Sequence, residues 1–193
     1  MKLDRTLISA KRLQRRVREL AKEIEAESKE ADLVLVGVLR GAFVFLADLL
    51  RALELPASVD FIAVSSYGAA MASRGEVRIV HDLRAPVAGR DVVVVEDIVD
   101  TGHTLQALYR HLSAHRPRSL RSCALLDKPS RRLIDVRADW VGFTIPDAFI
   151  VGYGLDYDER FRGLPYLATL KPDVAAREPD PIASKPAALC APD

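Results

Sequence analysis

Several things are scarce in this chain, and each shortage removes a class of protein. Among 193 residues there are two cysteines, one tryptophan and four histidines, and aromatic residues make up 6%. Cys123 lies in an apolar run and Cys190 near the carboxyl end, which does not make a disulfide framework. The histidines are few and lie outside ligand spacing, so no zinc site is expected. Neither sign of charge dominates: 28 Lys and Arg against 27 Asp and Glu leave a formal net charge of +1. That balance gives no reason to expect nucleic acid or an anionic membrane as partner. The longest apolar runs, such as Leu33 to Leu39, fall well short of a membrane span. Met1-Lys-Leu-Asp-Arg5 has no apolar core for a signal peptide, and a reducing cytoplasm is the expected location.

What is present is the composition of a globular domain, with 49% apolar and 28% charged residues. The length suits one well-buried domain, expected over residues 1–170. From about Lys171 onward Pro and Ala dominate without period, so residues 171–193 read as a disordered tail.

The most informative stretch runs from Asp91 to Leu105. Four consecutive valines form the run of a strand buried on both faces of a parallel sheet. The run is expected to stop at Glu96 and Asp97. A third carboxylate, Asp100, follows, then Thr101-Gly102-His103-Thr104 leads into a helical pattern at Leu105, Leu108 and Leu112. Carboxylates at a strand's carboxyl end suit a hydrated Mg²⁺ or sugar hydroxyls, and free N–H groups at a helix start suit a phosphate. Together they point to a phosphorylated sugar with a metal. Neither G-x-x-x-x-G-K-[ST] nor G-x-G-x-x-G occurs there.

Elsewhere the pattern alternates strands with helices. Residues 10–30 read as an amphipathic helix (Leu13, Val17, Leu20, Ile24) and Leu33 to Val38 as a buried strand. A helix then carries Phe43, Leu46, Leu49 and Leu50. Strands follow at about 58–65 and 78–82, separated by a small, polar loop from Gly68 to Gly75. Further strands are expected near 120–126, 140–143 and 149–153. The expected fold is therefore α/β, a mostly parallel twisted sheet flanked by helices, with ligands at the strand carboxyl ends. Polar clusters after Val38, Ser65, Val95 and Leu126 converge on that edge.

The segment Glu96-Asp97-Ile-Val-Asp100-Thr-Gly-His-Thr104 resembles the phosphoribosyl pyrophosphate (PRPP) signature of the type I phosphoribosyltransferases. Val38 to Phe43, Ser65 to Gly68, Leu125 to Arg132 and Ile145 to Tyr157 are similar to the bacterial hypoxanthine-guanine members, and the resemblance covers roughly residues 5 to 170. It implies purine salvage: Mg²⁺-dependent transfer of the 5-phosphoribosyl group from PRPP to N9 of hypoxanthine or guanine, giving IMP or GMP and pyrophosphate. It also implies a small hood, built from the N-terminal and about 140–170 segments, over the strand carboxyl ends, and a homodimer or homotetramer.

By the same resemblance Glu96 and Asp97 bind the ribose hydroxyls and support the metal, and Thr101, Gly102, His103 and Thr104 form the 5′-phosphate turn, with the His103 side chain pointing outward. Asp100 is the acid/base near purine N7, with a helix N-cap as its alternative role. Leu39, Arg40, Gly41 and Arg162 hold pyrophosphate, and the family's peptide between the first two is often cis. Ser66 and Tyr67 begin a flexible lid. Lys128 reads the purine 6-oxo oxygen, Phe149 stacks on the base, Ile150 reads its Watson–Crick edge, and Asp156 stands near the base and a metal. The readings left open are a xanthine-preferring enzyme, a regulatory nucleotide- or RNA-binding protein of the same fold, and a generic Mg²⁺-dependent hydrolase.

Overall fold

A computed structural model describes residues 3–28, 32–66 and 77–171. Its main sheet has six strands: β2 (Leu33–Leu39), β3 (Ala57–Ser66), β4 (Val77–His81), β5 (Asp91–Val99), β6 (Ser119–Asp127) and β7 (Trp140–Thr144), in the order β4-β3-β2-β5-β6-β7. Only the edge strand β4 runs antiparallel to its neighbour. Helices α1 (Ala10–Glu27), α2 (Phe43–Ala52) and α3 (His103–Ser113) cover the sheet.

The two-residue period of the strands explains why both faces are apolar. Leu33, Leu35, Val93 and Val95 point to one face, where they meet Leu13, Leu20 and Ile24 of α1 and Phe45, Leu46 and Leu49 of α2. Val34, Val36, Val38, Val92 and Val94 point to the other, against Leu108 and Leu112 of α3. Ser9 caps α1, its hydroxyl accepting from the Arg12 N–H at 3.4 Å. That helix ends at Glu27, short of the expected residue 30.

Two strands were invisible to periodicity. β1 (Leu3–Ile8) and β9 (Leu167–Leu170) pair antiparallel, and β8 (Ile150–Val151) joins the other side of β9, so a second sheet has the order β1-β9-β8. In β1 the successive residues Asp4, Arg5 and Thr6 are all exposed, which hides its pattern. The strand expected over 149–153 shrinks to Ile150–Val151, because Gly152 turns the chain out of the ladder. No described helix is long and apolar enough to cross a membrane. The expected tail and most of the expected lid, Tyr67 included, lie outside the described residues.

Candidate active site

The strand order fixes where a ligand belongs. From β2 the chain steps outward to β3 and β4, returns to β5 beside β2, then steps outward the other way. The crevice at such a reversal, at the strands' carboxyl ends, is the binding position of open α/β sheets. A cavity of about 590 Å³ lies there, lined by Leu39, Arg40, Gly41, Asp97, Asp100, Lys128, Phe149, Ile150, Asp156 and Arg162 among others. A second, of about 290 Å³, is lined by Glu96, Asp97, Asp100, Thr101, Gly102 and Thr104. Leu39, Gly41, Asp97 and Asp100 line both. His103, the first residue of α3, lines neither, and Ser66 is the last residue of β3.

The acidic pair does not follow the strand, as the sequence suggested, but belongs to it. β5 runs on to Val99, and its ladder with β6 reaches Val99 opposite Asp127. On the other side, pairing with β2 ends at Gly37 opposite Val95. Glu96 and Asp97 thus sit where one neighbour has peeled away. Successive strand residues face opposite sides, and correspondingly Glu96 lines the smaller cavity and Asp97 both. A Cβ at Gly41 would overlap the Asp97 carboxylate, so the turn after β2 passes this close only as glycine. The Leu39–Arg40 peptide in that turn is cis.

Glu96 is buried, and its Oε2 has no hydrogen-bond partner. Burial, and then the neighbouring charge of Asp97, pushes its pKa up to about 8. Asp97 is raised by burial to about 6, although its Oδ1 accepts the Ile98 N–H at 2.9 Å.

Gly102 (φ 93°) turns the chain into α3 as its N-cap residue, with no side chain capping the helix, so Asp100 does not serve as the cap. The N–H groups of the first turn of α3 have no intrahelical acceptors, and Gly102, Thr104 and Leu105 line the smaller cavity. The turn is braced from behind. Leu133 and Ile134 N–H both donate to the Thr101 carbonyl, at 2.9 and 3.1 Å. Arg132 Nε donates to the Asp100 carbonyl at 3.1 Å, and its guanidinium also binds the Val136 carbonyl and the Asp127 carboxylate. Sequence reasoning gave Arg132 no role, because nothing in a run of two arginines says which one is buried.

Its neighbour Arg131 was missed as well. Arg131 Nε lies 2.9 Å from Asp100 Oδ1, but the geometry makes no hydrogen bond, and that oxygen is buried without a partner. Asp147 links Arg131 (3.5 Å) to Lys128 (3.8 Å).

Lys128 is 7% exposed, unlike a solvated lysine after a strand. Phe149 is 42% exposed, with its ring edge-to-face against Tyr157 at 5.4 Å, so it is a cavity wall and no core residue. The Ile150 side chain is buried. Arg162 donates to the Gly154 carbonyl at 2.9 Å and pairs with Asp156 at 2.8 Å.

Glu96, Asp97 and Asp156 are oxygen donors of the kind Mg²⁺ takes, yet they form no three-donor cluster among the described residues. The cluster that does form is Asp82, His111 and His115, with donor atoms within 4.8 Å of one another, contrary to the expectation that no histidines share ligand spacing. It lines neither cavity, and His111 Nε2 lies 2.9 Å from Asp82 Oδ1, the geometry of an exposed ion pair at the end of α3.

Comparison with known proteins agrees with this geometry. The family model "Phosphoribosyl transferase domain" matches residues 6–158. The chain is 46% identical over 172 residues to a hypoxanthine-guanine phosphoribosyltransferase of Bacillus subtilis, covering 89% of this chain and 96% of that one. It is 51% identical over 174 residues to one of Mycobacterium avium, covering 87% and 86%. The crystal structure of a hypoxanthine-guanine phosphoribosyltransferase from Bacillus anthracis superposes with a TM-score of 0.86 at 45% identity, over 88% of this chain and 100% of that one.

Proposed function

Since the chain belongs to the phosphoribosyltransferase family, among its hypoxanthine-guanine members, we propose that it salvages 6-oxopurines, transferring the 5-phosphoribosyl group of PRPP to N9 of hypoxanthine or guanine. The observation that carries this reading is the buried Lys128, set with Phe149 in the same cavity as Asp97 and Asp100. A lysine ammonium only donates. It suits a 6-oxo acceptor and rejects the amino group of adenine.

In this reading the base stacks on the exposed face of Phe149 with its oxo group toward Lys128. Ribose hydroxyls donate to Glu96 and Asp97, and the 5′-phosphate meets the N–H groups at the start of α3. Arg40 and Arg162 take the diphosphate. N9 bonds to C1′ as the C1′–O bond to pyrophosphate breaks, and the N7 proton passes to Asp100. The unpartnered Glu96 oxygen and the carboxylates of Asp97 and Asp156 fit Mg²⁺, which usually binds one or two protein carboxylates together with substrate phosphates. The ion would offset the charge of the leaving group. The working form is a homodimer or homotetramer, which light scattering tests.

The decisive experiment incubates the protein with PRPP and Mg²⁺ and, separately, hypoxanthine, guanine, xanthine and adenine. Hypoxanthine or guanine is consumed and adenine is not. Turnover of adenine without hypoxanthine removes Lys128 from base recognition.

A further inference from the structure

Glu159 pairs with both of the arginines assigned above to a diphosphate. Its Oε1 lies 2.5 Å from Arg40 Nη2, and its Oε2 lies 3.3 Å from Arg162 Nη2. One carboxylate thus addresses both arginines, one oxygen to each, as the oxygens of a diphosphate would. Resting on the reading above, we propose that Glu159 is a built-in competitor for the pyrophosphate subsite. It bridges the two arginines in the ligand-free protein, gives way to the diphosphate of PRPP, and returns as pyrophosphate leaves.

The backbone is shaped to present this side chain. Tyr157 and Arg160 exchange backbone hydrogen bonds at 3.2 and 3.1 Å, closing a tight turn around Asp158 and Glu159. Both central residues have positive φ, 52° and 58°, and Phe161 follows at 74°. Turns with two such positions favour Asn, Asp and Gly. Asp158 fits that preference and Glu159 does not. A side chain kept in this region needs compensation from its surroundings. Asp156 sets the spacing: its Oδ2 accepts the Glu159 N–H at 2.9 Å, while its Oδ1 pairs with Arg162.

The two arginines are held unequally. Arg162 is 19% exposed at its side chain and anchored by Gly154 and Asp156 as well. Arg40 is 68% exposed, and among the described residues Glu159 is its ion-pair partner. Glu159 therefore holds Arg40 in an ion pair that an incoming ligand must break, while Arg162 stays fixed by its other partners. Exposed pairs are weak, so the bridge costs incoming ligand only about two- to fivefold in affinity. A diphosphate, with several negative charges against one, displaces it.

The test compares Glu159→Gln with the unaltered protein in two measurements. Calorimetry with pyrophosphate and Mg²⁺ reads the arginine pair without requiring turnover, and steady-state kinetics gives KM for PRPP and for the oxopurine. Glu159→Gln is expected to bind pyrophosphate about two- to fivefold more tightly and to lower KM for PRPP by a similar factor, with KM for the oxopurine unchanged. Both gains shrink in high salt. A residue that merely props the turn would weaken binding when altered, so weaker or unchanged pyrophosphate binding overturns the proposal. If PRPP is not a substrate at all, the functional reading fails, and the pyrophosphate titration still decides the role of Glu159.

Discussion

On the proposed reading, the ribose-phosphate half of the site comes from one unbroken run, Glu96 to Thr104, at the end of β5 and the start of α3. The half we assign to base and pyrophosphate gathers Arg40, Lys128, Phe149, Asp156 and Arg162 from segments far apart in the chain. The first half relies on backbone: a strand that outlasts its neighbour, a glycine turn, and free N–H groups. The second relies on side-chain heads held by ion pairs and carbonyls. A fixed, locally encoded cradle suits the phosphosugar common to every substrate pair. An assembled, side-chain-lined half suits the parts of the reaction that select a base and release pyrophosphate. Arg132 joins the two, since its segment begins at Lys128 and its guanidinium holds the carbonyl of Asp100.

The sharpest way to break this comparison is Asp100→Asn, which keeps the turn and removes the proton acceptor. Turnover is expected to fall by about 10²–10³-fold, with KM for PRPP little changed. Unaltered turnover would place the proton elsewhere. Next is Arg132→Ala, which leaves the part-buried Asp127 unpaired and frees the Thr101 turn. It should cost about 2–3 kcal/mol of stability and raise KM for PRPP and for the base together, measured by denaturation and by kinetics. A rise in only one would mean that the halves are independent. Phe149→Ala should raise KM for the base by about tenfold, the loss of roughly 1–1.5 kcal/mol of stacking, and leave pyrophosphate binding intact.

Stability is also expected to drift with pH. The folded pKa of Glu96 lies above its ordinary value, so the folded protein binds more protons than the unfolded chain between about pH 4.5 and 8. Stability of the ligand-free protein therefore falls as pH rises through that window. Asp97 adds to the drift between about pH 3.8 and 6, though it is only partly buried. Melting temperature measured with chelator from pH 5 to 8 checks the sign, and a rise with pH would contradict the unpartnered burial of Glu96.

The same contrast explains what could be read from the sequence. The valine run, the acidic pair and the Thr-Gly-His-Thr turn were legible because their chemistry is adjacent in the chain. Lys128, Phe149 and Arg162 drew attention only through family resemblance, since a single lysine, phenylalanine or arginine carries no local signal of burial or convergence. Arg132 and Glu159 escaped because their roles depend on partners distant in sequence or on an unusual φ. The end of β5 was misplaced for a physical reason: two adjacent carboxylates look like a loop until one neighbouring strand is seen to stop short. β1 was missed because three polar residues in succession, Asp4 to Thr6, leave too few apolar positions to show a period.

The smaller sheet carries a further implication for how the protein is made. Its order is β1-β9-β8, so the strand formed last lies between the other two. During synthesis the six-strand sheet has all its strands once Thr144 has emerged, and the phosphate turn can already be in place. β1 and β8 have no partner until Leu167 to Leu170 arrive. The segment of Phe149 and Ile150, which we assign to the purine, pairs with that last described strand, the Leu170 N–H donating to the Phe149 carbonyl at 3.2 Å. On the proposed reading, a nascent chain would hold a sugar-phosphate cradle well before it could seat a base.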